Sequence, residues 1–511
     1  MSTLLQPLLR PPSFKLSSSM WVDEAIWGHR LHDEQLPWLV LLEFLNIFYH
    51  EVEKGRAFEE PNGLNMLNYR AAHRLYLRNI LFNNPHLAEI QLNFPNNTKR
   101  WDEWFKRMES LPKIPHPQFA YLKDHFASFD DFCEVVSLIR STSFEMNSNK
   151  SWAAKFVFPF GKECLYEELN TAATNNPRNF FGRTGEVLYL MLCRTQHKQA
   201  LLTALTKRLS KTDSTWNSII KCLQPIDEEQ MGSDHTNAFL PYDHHFCFDE
   251  LAKDWLAILH LNIPGFDFFP HLVNLLGLHL IKYQLDVSRQ FLGKTSPLSL
   301  VCEVVAPKKT LVREISYDFY QKNNLLPVQA VEAFIANIET GTDWQQALTE
   351  DNAFEKCKKI LGDKAGWGED YVGSPDPRQL IASLRQAAMK RHRQHVANIH
   401  RSYGRAIGLV SKRGTIKLRY APTDALLKTL LFANVEKHIE LHQLLEKLHC
   451  RYGLVFGDKE AERVLAKDEF DKKAFKANSR RLEQRLASVG LLNRRSDGCA
   501  YVINPYRVEA G

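Results

Sequence analysis

No two of the nine cysteines stand in a C-x-x-C pair, and they scatter from Cys133 to Cys499 in odd number. That excludes a disulfide-stapled secreted framework and the usual zinc-binding spacings, and it fits a reduced, cytoplasmic chain. Long apolar runs are lacking too. The most hydrophobic helical stretch, FFPHLVNLLGLHLIKYQL (268–285), contains His271, Asn274, His279 and Lys282. It falls short of the roughly 20 predominantly apolar residues of a membrane span, so it predicts a buried core helix and no membrane partner. The opening MSTLLQPLLRPPSFKLSSS has no basic start, and Gln6, Pro7, Pro11 and Pro12 cut its apolar patch, which argues against a secretory signal. Internal repeats and low-complexity tracts are missing.

Catalytic signatures are missing as well. In GKT (293–295) the glycine that a phosphate loop needs five residues earlier is Ser288, and the preceding segment reads as helix rather than strand. DHHFCFDE gathers Asp243, His244, His245, Cys247 and Asp249 without a metal-ligand spacing, and reads as satisfied loop histidines. HRLHDE (29–34) would put His29 and Asp33 on one face if it were helical, but it reads as a capped helix start before Pro37. Glu303 with Lys308 makes a chance nuclease-like pattern, and Arg183 with Glu186 a structural ion pair. The sequence therefore predicts no catalytic residue, no metal ligand and no cofactor, and an enzyme is the less favoured class.

What the chain does have is bulk. Its 511 residues, 44% hydrophobic and 24% charged, exceed one ordinary core and predict two to four domains. Three- and four-residue apolar spacing predicts helices over 33–55, 64–82 and 185–210, with loops over 147–182 and 224–250 and a strand at LSLVCEVV (298–305). The expected fold class is mainly α: a multi-domain helical body with a C-terminal winged-helix domain. The expected divisions are a helical domain over 1–150, a helical middle with few strands over 151–376, a basic connector over 377–423 and the winged helix over 424–511. The breaker-rich loop GDKAGWGEDYVGSPDPRQ (362–379) marks the sharpest boundary.

Charge changes sign at that loop. Residues 1–376 carry 38 Lys and Arg against 46 Asp and Glu, whereas residues 377–423 carry 11 bases and no acid. Residues 424–511 hold 16 against 13. An acid-free run of 47 residues suits a polyanion, because each cation placed on a phosphate releases condensed counterions. The alternative is a basic face docked on the protein's own acidic body.

The C-terminal 88 residues carry the clearest pattern. TDALLKTLLFANV and IELHQLLEKLHCRYG read as two helices, the first capped by Thr423 and the second stopped by Gly453. DKEAERVLAKDEF adds a short third. DKKAFKANSRRLEQRLASVGLL then puts Phe475, Leu482, Leu486 and Val489 on one stripe, with Lys473, Lys476 and Arg480 opposite. Two strand-like runs around Ser496-Asp497-Gly498 follow as a hairpin, with Arg494 and Arg495 near its tip. Helices, a basic amphipathic helix and a ribbon are the elements of a winged helix, whose last helix enters the major groove of duplex DNA. The expected contacts are Lys390, Arg391, Arg393, Lys412, Arg413, Lys473, Lys476, Arg480, Arg494 and Arg495.

Three stretches, DEAIWGHRLHDEQLPWLVLLEFL, FFGRTGEVLYLML and RLASVGLLNRRSDGCAYVINPY, together resemble large proteins of bacterial anti-phage defence clusters, of the Druantia and phosphorothioation-dependent restriction kinds. The resemblance implies a cytoplasmic, non-motor accessory subunit working beside a helicase or nuclease, and carries over no active-site residue. Three rival readings stay open: a metal-dependent nuclease subunit, a transcription regulator, and a winged helix that binds protein alone.

Overall fold

The computed structural model describes residues 7–8, 20–29, 31–59, 67–82, 84, 86–109, 114, 116–141, 161–167, 182–209, 215–225, 232–236, 238–412, 417–494 and 500–507. Over these residues the chain is mainly helical, and no helix among them is long and apolar enough to cross a membrane. Two compact units emerge, each assembled from separated stretches: Met1–Pro37, Leu190–Leu201 and Phe239–Gly511 in one, Trp38–Tyr189 and Leu202–Ala238 in the other.

The smaller unit is built on aromatic packing. In the helix Asn97–Met108, Trp101, Trp104 and Met108 recur on one buried face, and Asn96 caps its start by accepting from the Lys99 N–H. Trp101 meets Phe129 edge-on at 5.1 Å, and Trp104 meets Phe132 at 5.1 Å, both phenylalanines coming from the helix Phe129–Ser141. The Trp104 indole N–H donates to Asn84 Oδ1 at 2.9 Å, which satisfies its polar end inside the core.

Periodicity misjudged one stretch of this unit. Among the described residues of the segment 64–82, read as one helix, only Leu75–Phe82 is helical, while Asn68–Ala72 is a strand antiparallel to Gly232–Thr236, itself read as loop. Buried Tyr69 and Ala71 alternate with exposed Asn68 and Arg70, so a partner some 160 residues away overrides the local helical spacing. The expected helix over 185–210 also divides, into Thr184–Cys193 and Lys198–Leu209, where the Thr195 hydroxyl accepts from the His197 N–H and turns the chain.

In the larger unit the helix Phe269–Phe291 is buried almost all round. It packs against the helices Phe246–Leu259, Leu326–Thr340, Ile399–Ala406 and Asp424–Asn434. Its polar residues find protein partners: His271 and Asn274 meet the Thr429 hydroxyl at 2.7 and 3.0 Å. His279 meets Asp254 at 2.8 Å, and that carboxylate also accepts from Tyr452 and pairs with Arg451. The expected strand over 298–305 contracts to Leu300–Val301, which pairs in parallel with Leu454–Val455.

His400, on the helix Ile399–Ala406, is enclosed between Tyr320, stacked at 4.8 Å, and the Tyr420 hydroxyl, 2.9 Å from its Nε2. Burial pushes its imidazole down to about 3. The unfolded chain takes up this proton below about 6.5 and the folded one does not, so the contribution is intact above 6.5 and is lost as pH falls toward 3. At pH 5 the loss amounts to about 2 kcal/mol. Urea unfolding of the parent and of His400→Gln at pH 7.5 and pH 5 checks this: the parent is expected to lose about 2 kcal/mol more on acidification than the variant. Equal losses would place His400 in contact with water.

The last part of the larger unit runs in the order helix Asp424–Asn434, strand His438–Glu440, helix Leu441–Tyr452, strand Leu454–Val455, helix Asp458–Val464, helix Lys472–Ser488, and strands Leu492–Arg494 and Ala500–Ile503. Thr423 caps the first helix through the Leu426 N–H, and Gly453 ends the second with φ +73. The strand Ala500–Ile503 is central in a three-stranded antiparallel sheet, flanked by His438–Glu440 and Leu492–Arg494.

Candidate nucleic-acid interface

The helix Lys472–Ser488 is held from within. Asp471 caps it by accepting from the N–H groups of Lys473 and Ala474. Phe475 joins a buried cluster with Val301, Val312, Ile315, Val455, Ala461 and Leu465. Asn478, fully buried one turn on, donates to the carbonyls of Cys302 and Phe456 and accepts from the Val304 N–H at 2.8 Å. These contacts fix the rotation of the helix, which leaves Lys473, Lys476 and Arg480 on the exposed face. Among the described residues none of the three pairs with a carboxylate. Arg485, on the flank, is spent on Asp424 and the Pro422 carbonyl.

Beneath that cluster lies a buried charge triad. Glu303, fully enclosed, accepts from Arg313 Nε at 2.8 Å and from the equally buried Arg419, whose strand Arg419–Tyr420 pairs with Val410–Ser411. Its own N–H donates to the Tyr420 carbonyl at 2.9 Å. Glu303 is thus a structural anchor, and Lys308 stands apart from it on the surface.

The basic run divides into two populations. Arg385 pairs with Glu339, Arg391 with Glu24 and the Met20 carbonyl, and Arg419 with Glu303, while Lys417 lies 4.4 Å from the Tyr317 ring. The three arginines answer acids read as belonging to the body, so part of the acid-free run is internal counter-charge. Lys390, Arg393 and Lys412 are exposed, as are Arg378, Arg401 and Arg405. Arg413 and Arg495 lie outside the described residues. Arg494 sits 3.5 Å from Glu483. The helix Pro377–Gln394, which carries Lys390 and Arg393, packs on Leu326–Thr340 and Ala353–Ala365, whereas Lys472–Ser488 packs on Leu311–Asn324 and Asp458–Val464. The two groups of cations therefore stand on different supports.

A groove of about 230 Å³ opens between Lys472–Ser488 and the three-stranded sheet, lined by Glu440, Asp458, Glu460 and Glu483 among others. Lys459 and Arg494 on the same wall offset part of that negative charge, so the groove is of mixed sign, whereas the Lys473–Lys476–Arg480 face presents cations alone.

The other motifs resolve as structure. His245 caps the helix Phe246–Leu259 by accepting from the Cys247 N–H, and burial pushes its imidazole down to about 3. His244 is 3.8 Å from Asp249. GKT follows a helix end, with Gly293 at φ +63. HRLHDE leads into the helix that begins at Pro37, while the preceding helix Asp23–Trp27 stops at Gly28, φ +104, so His29 and Asp33 share no helical face.

The sequence missed the company that the Arg183–Glu186 pair keeps in the smaller unit. Tyr69 Oη lies 3.3 Å from Glu43 and 3.1 Å from Glu186, and Glu43 accepts from the Gly185 N–H at 2.7 Å. Glu167, fully buried, meets His235 at 3.2 Å and His73 at 3.8 Å. Burial raises the Glu186 carboxyl, and the Glu167 carboxylate holds His235 up against its own desolvation. Tyr69 and His235 are cross-strand partners, stacked at 5.0 Å, so strand pairing assembles a group that no sequence spacing announces.

No family model, curated protein or solved structure matches this chain.

Proposed function

We propose that the chain is a non-motor DNA-binding accessory component, in which residues 424–511 act as a winged helix on duplex DNA. The observation that carries the reading is the free cationic stripe Lys473–Lys476–Arg480, on a helix whose opposite face is fixed by Phe475 and Asn478. The element order supports it: apart from the short strand Leu454–Val455, which pairs with Leu300–Val301 outside the sheet, it runs helix, strand, helices and hairpin, with the last strand between the first and second of the sheet, the order of winged helices. In that geometry the Lys472–Ser488 helix lies in the major groove and the hairpin reaches the backbone. Lys390, Arg393 and Lys412 are further phosphate contacts from the basic run, while Arg391 serves Glu24. Membership of a multi-gene bacterial antiviral system, with helicase or nuclease subunits as partners, belongs to the same proposal and rests on the resemblance of the three sequence stretches.

Charge reversal tests the DNA reading. Lys473→Glu/Lys476→Glu/Arg480→Glu is expected to weaken binding to a labelled duplex by about 100-fold or more at moderate salt, with the melting temperature unchanged because the three residues are exposed. Equal affinity of variant and parent would move the contact surface elsewhere and overturn the assignment.

A further inference from the structure

We propose that His32, Asp33 and His395 form a site for one divalent transition metal ion of the zinc class, set beside a cavity in the larger unit. One ligand atom from each of the three residues lies within 4.8 Å of the others. Metal bonds of about 2.0–2.2 Å require ligand atoms roughly 3–3.5 Å apart, and His395 Nδ1 already stands 3.0 Å from Asp33 Oδ1. Two imidazoles and one carboxylate are the donor set of open metal sites, which keep a further position for water.

The surrounding chain holds these donors in place. Ser402 donates to the Asp33 carbonyl at 3.0 Å and Tyr403 to the Gln35 carbonyl at 2.8 Å, so one helix, Ile399–Ala406, clamps the loop that carries His32 and Asp33. His32 Nδ1 accepts from the Glu34 N–H at 3.3 Å, so that nitrogen carries the lone pair of the ring. The rings of His32 and His395 stack at 3.9 Å between centroids. All three residues are partly exposed, which leaves an entry path for the ion.

A separate observation points to a ligand here. His32 and His395 line a cavity of about 200 Å³ whose wall also carries Glu24, Arg391 and Gln394. Glu24 is 1% exposed; one carboxylate oxygen pairs with Arg391 while Oε2 is buried with no hydrogen-bond partner. A buried, unpaired carboxylate oxygen is costly, as the rise of the Glu24 carboxyl to about 7 through burial reflects, and a cation beside the cavity would offset part of that cost through space.

Cobalt(II) titration of the full chain tests the site. One equivalent is expected to give the visible d–d absorption of a low-coordinate nitrogen and oxygen site, displaced by zinc(II), lost in Asp33→Asn and in His395→Gln, and kept in His244→Gln. Absence of the band at one equivalent, or its survival in both variants, would overturn the proposal. X-ray absorption on the zinc-loaded parent needs no variant. Two imidazoles with oxygen completing the shell are expected, and sulfur ligation or fewer than two imidazoles would refute it.

Discussion

Glu303→Gln is expected to destabilise the larger unit by about 3–5 kcal/mol, the usual cost of removing one partner from a buried ion pair. Glu303 is the shared counter-ion of Arg313 and Arg419, and Arg419 is itself fully buried. Glutamine keeps the shape and removes the charge, so a guanidinium is left in a low-dielectric site without a carboxylate. The damage should spread, because the backbone N–H of Glu303 donates to Tyr420, and its neighbours Cys302 and Val304 hold Asn478 of the cationic helix. A compensating pair, Glu303→Met with Arg419→Met, should recover part of the loss, since it removes the fully buried orphan Arg419 while Arg313, nearer the surface, stays without its carboxylate. Urea unfolding followed by tryptophan fluorescence measures all three proteins. A loss under about 1 kcal/mol in Glu303→Gln would mean that water reaches the arginines.

Gly453→Ala is expected to cost about 3–5 kcal/mol, from two sources that act together. Gly453 adopts φ +73, which a side chain disfavours by about 1–2 kcal/mol. A Cβ there would also stand 2.2 Å from the Leu298 carbonyl oxygen, which forces the backbones apart. Those backbones are the start of the parallel pair Leu300–Val301 with Leu454–Val455, where the Leu300 N–H donates to the Gly453 carbonyl at 2.8 Å. Gly490→Ala is the matched control: its φ is +74 but nothing lies within 4 Å of a new Cβ, so only the conformational cost of about 1–2 kcal/mol applies. Equal melting temperatures for the two variants would contradict the close approach.

These two residues also mark how far the sequence could be read. Gly453 was legible as a helix stop, as were the Thr423 cap and the Phe475–Leu482–Leu486 stripe, because capping and periodicity are set by neighbours in the chain. Its approach to Leu298 was not legible, since the partner lies far away in sequence. The same holds for the strand Asn68–Ala72, whose pairing with Gly232–Thr236 overrode an apparently helical spacing. Charge shows the limit most clearly. The acid-free run suggested one polyanion surface, but Arg385, Arg391 and Arg419 find Glu339, Glu24 and Glu303 only once the chain has folded. His32, Asp33 and His395 likewise converge across more than 360 residues, so a search for metal spacings passes over them. The mainly helical class was legible because most of its elements are long and periodic.

The central claim is that exposed cations on the Lys472–Ser488 helix engage duplex phosphates. Its most direct test is the affinity of the intact chain for a duplex measured across salt concentrations, beside the Lys473→Glu/Lys476→Glu/Arg480→Glu variant. Neutralising phosphates makes log affinity fall linearly with log salt, and each lost contact flattens the slope by about 0.9. The account predicts steep, linear dependence for the parent and a slope shallower by about 2–3 for the variant. No binding by the parent at low salt, or identical slopes, would contradict it and turn the same helix into a docking face for an acidic partner protein.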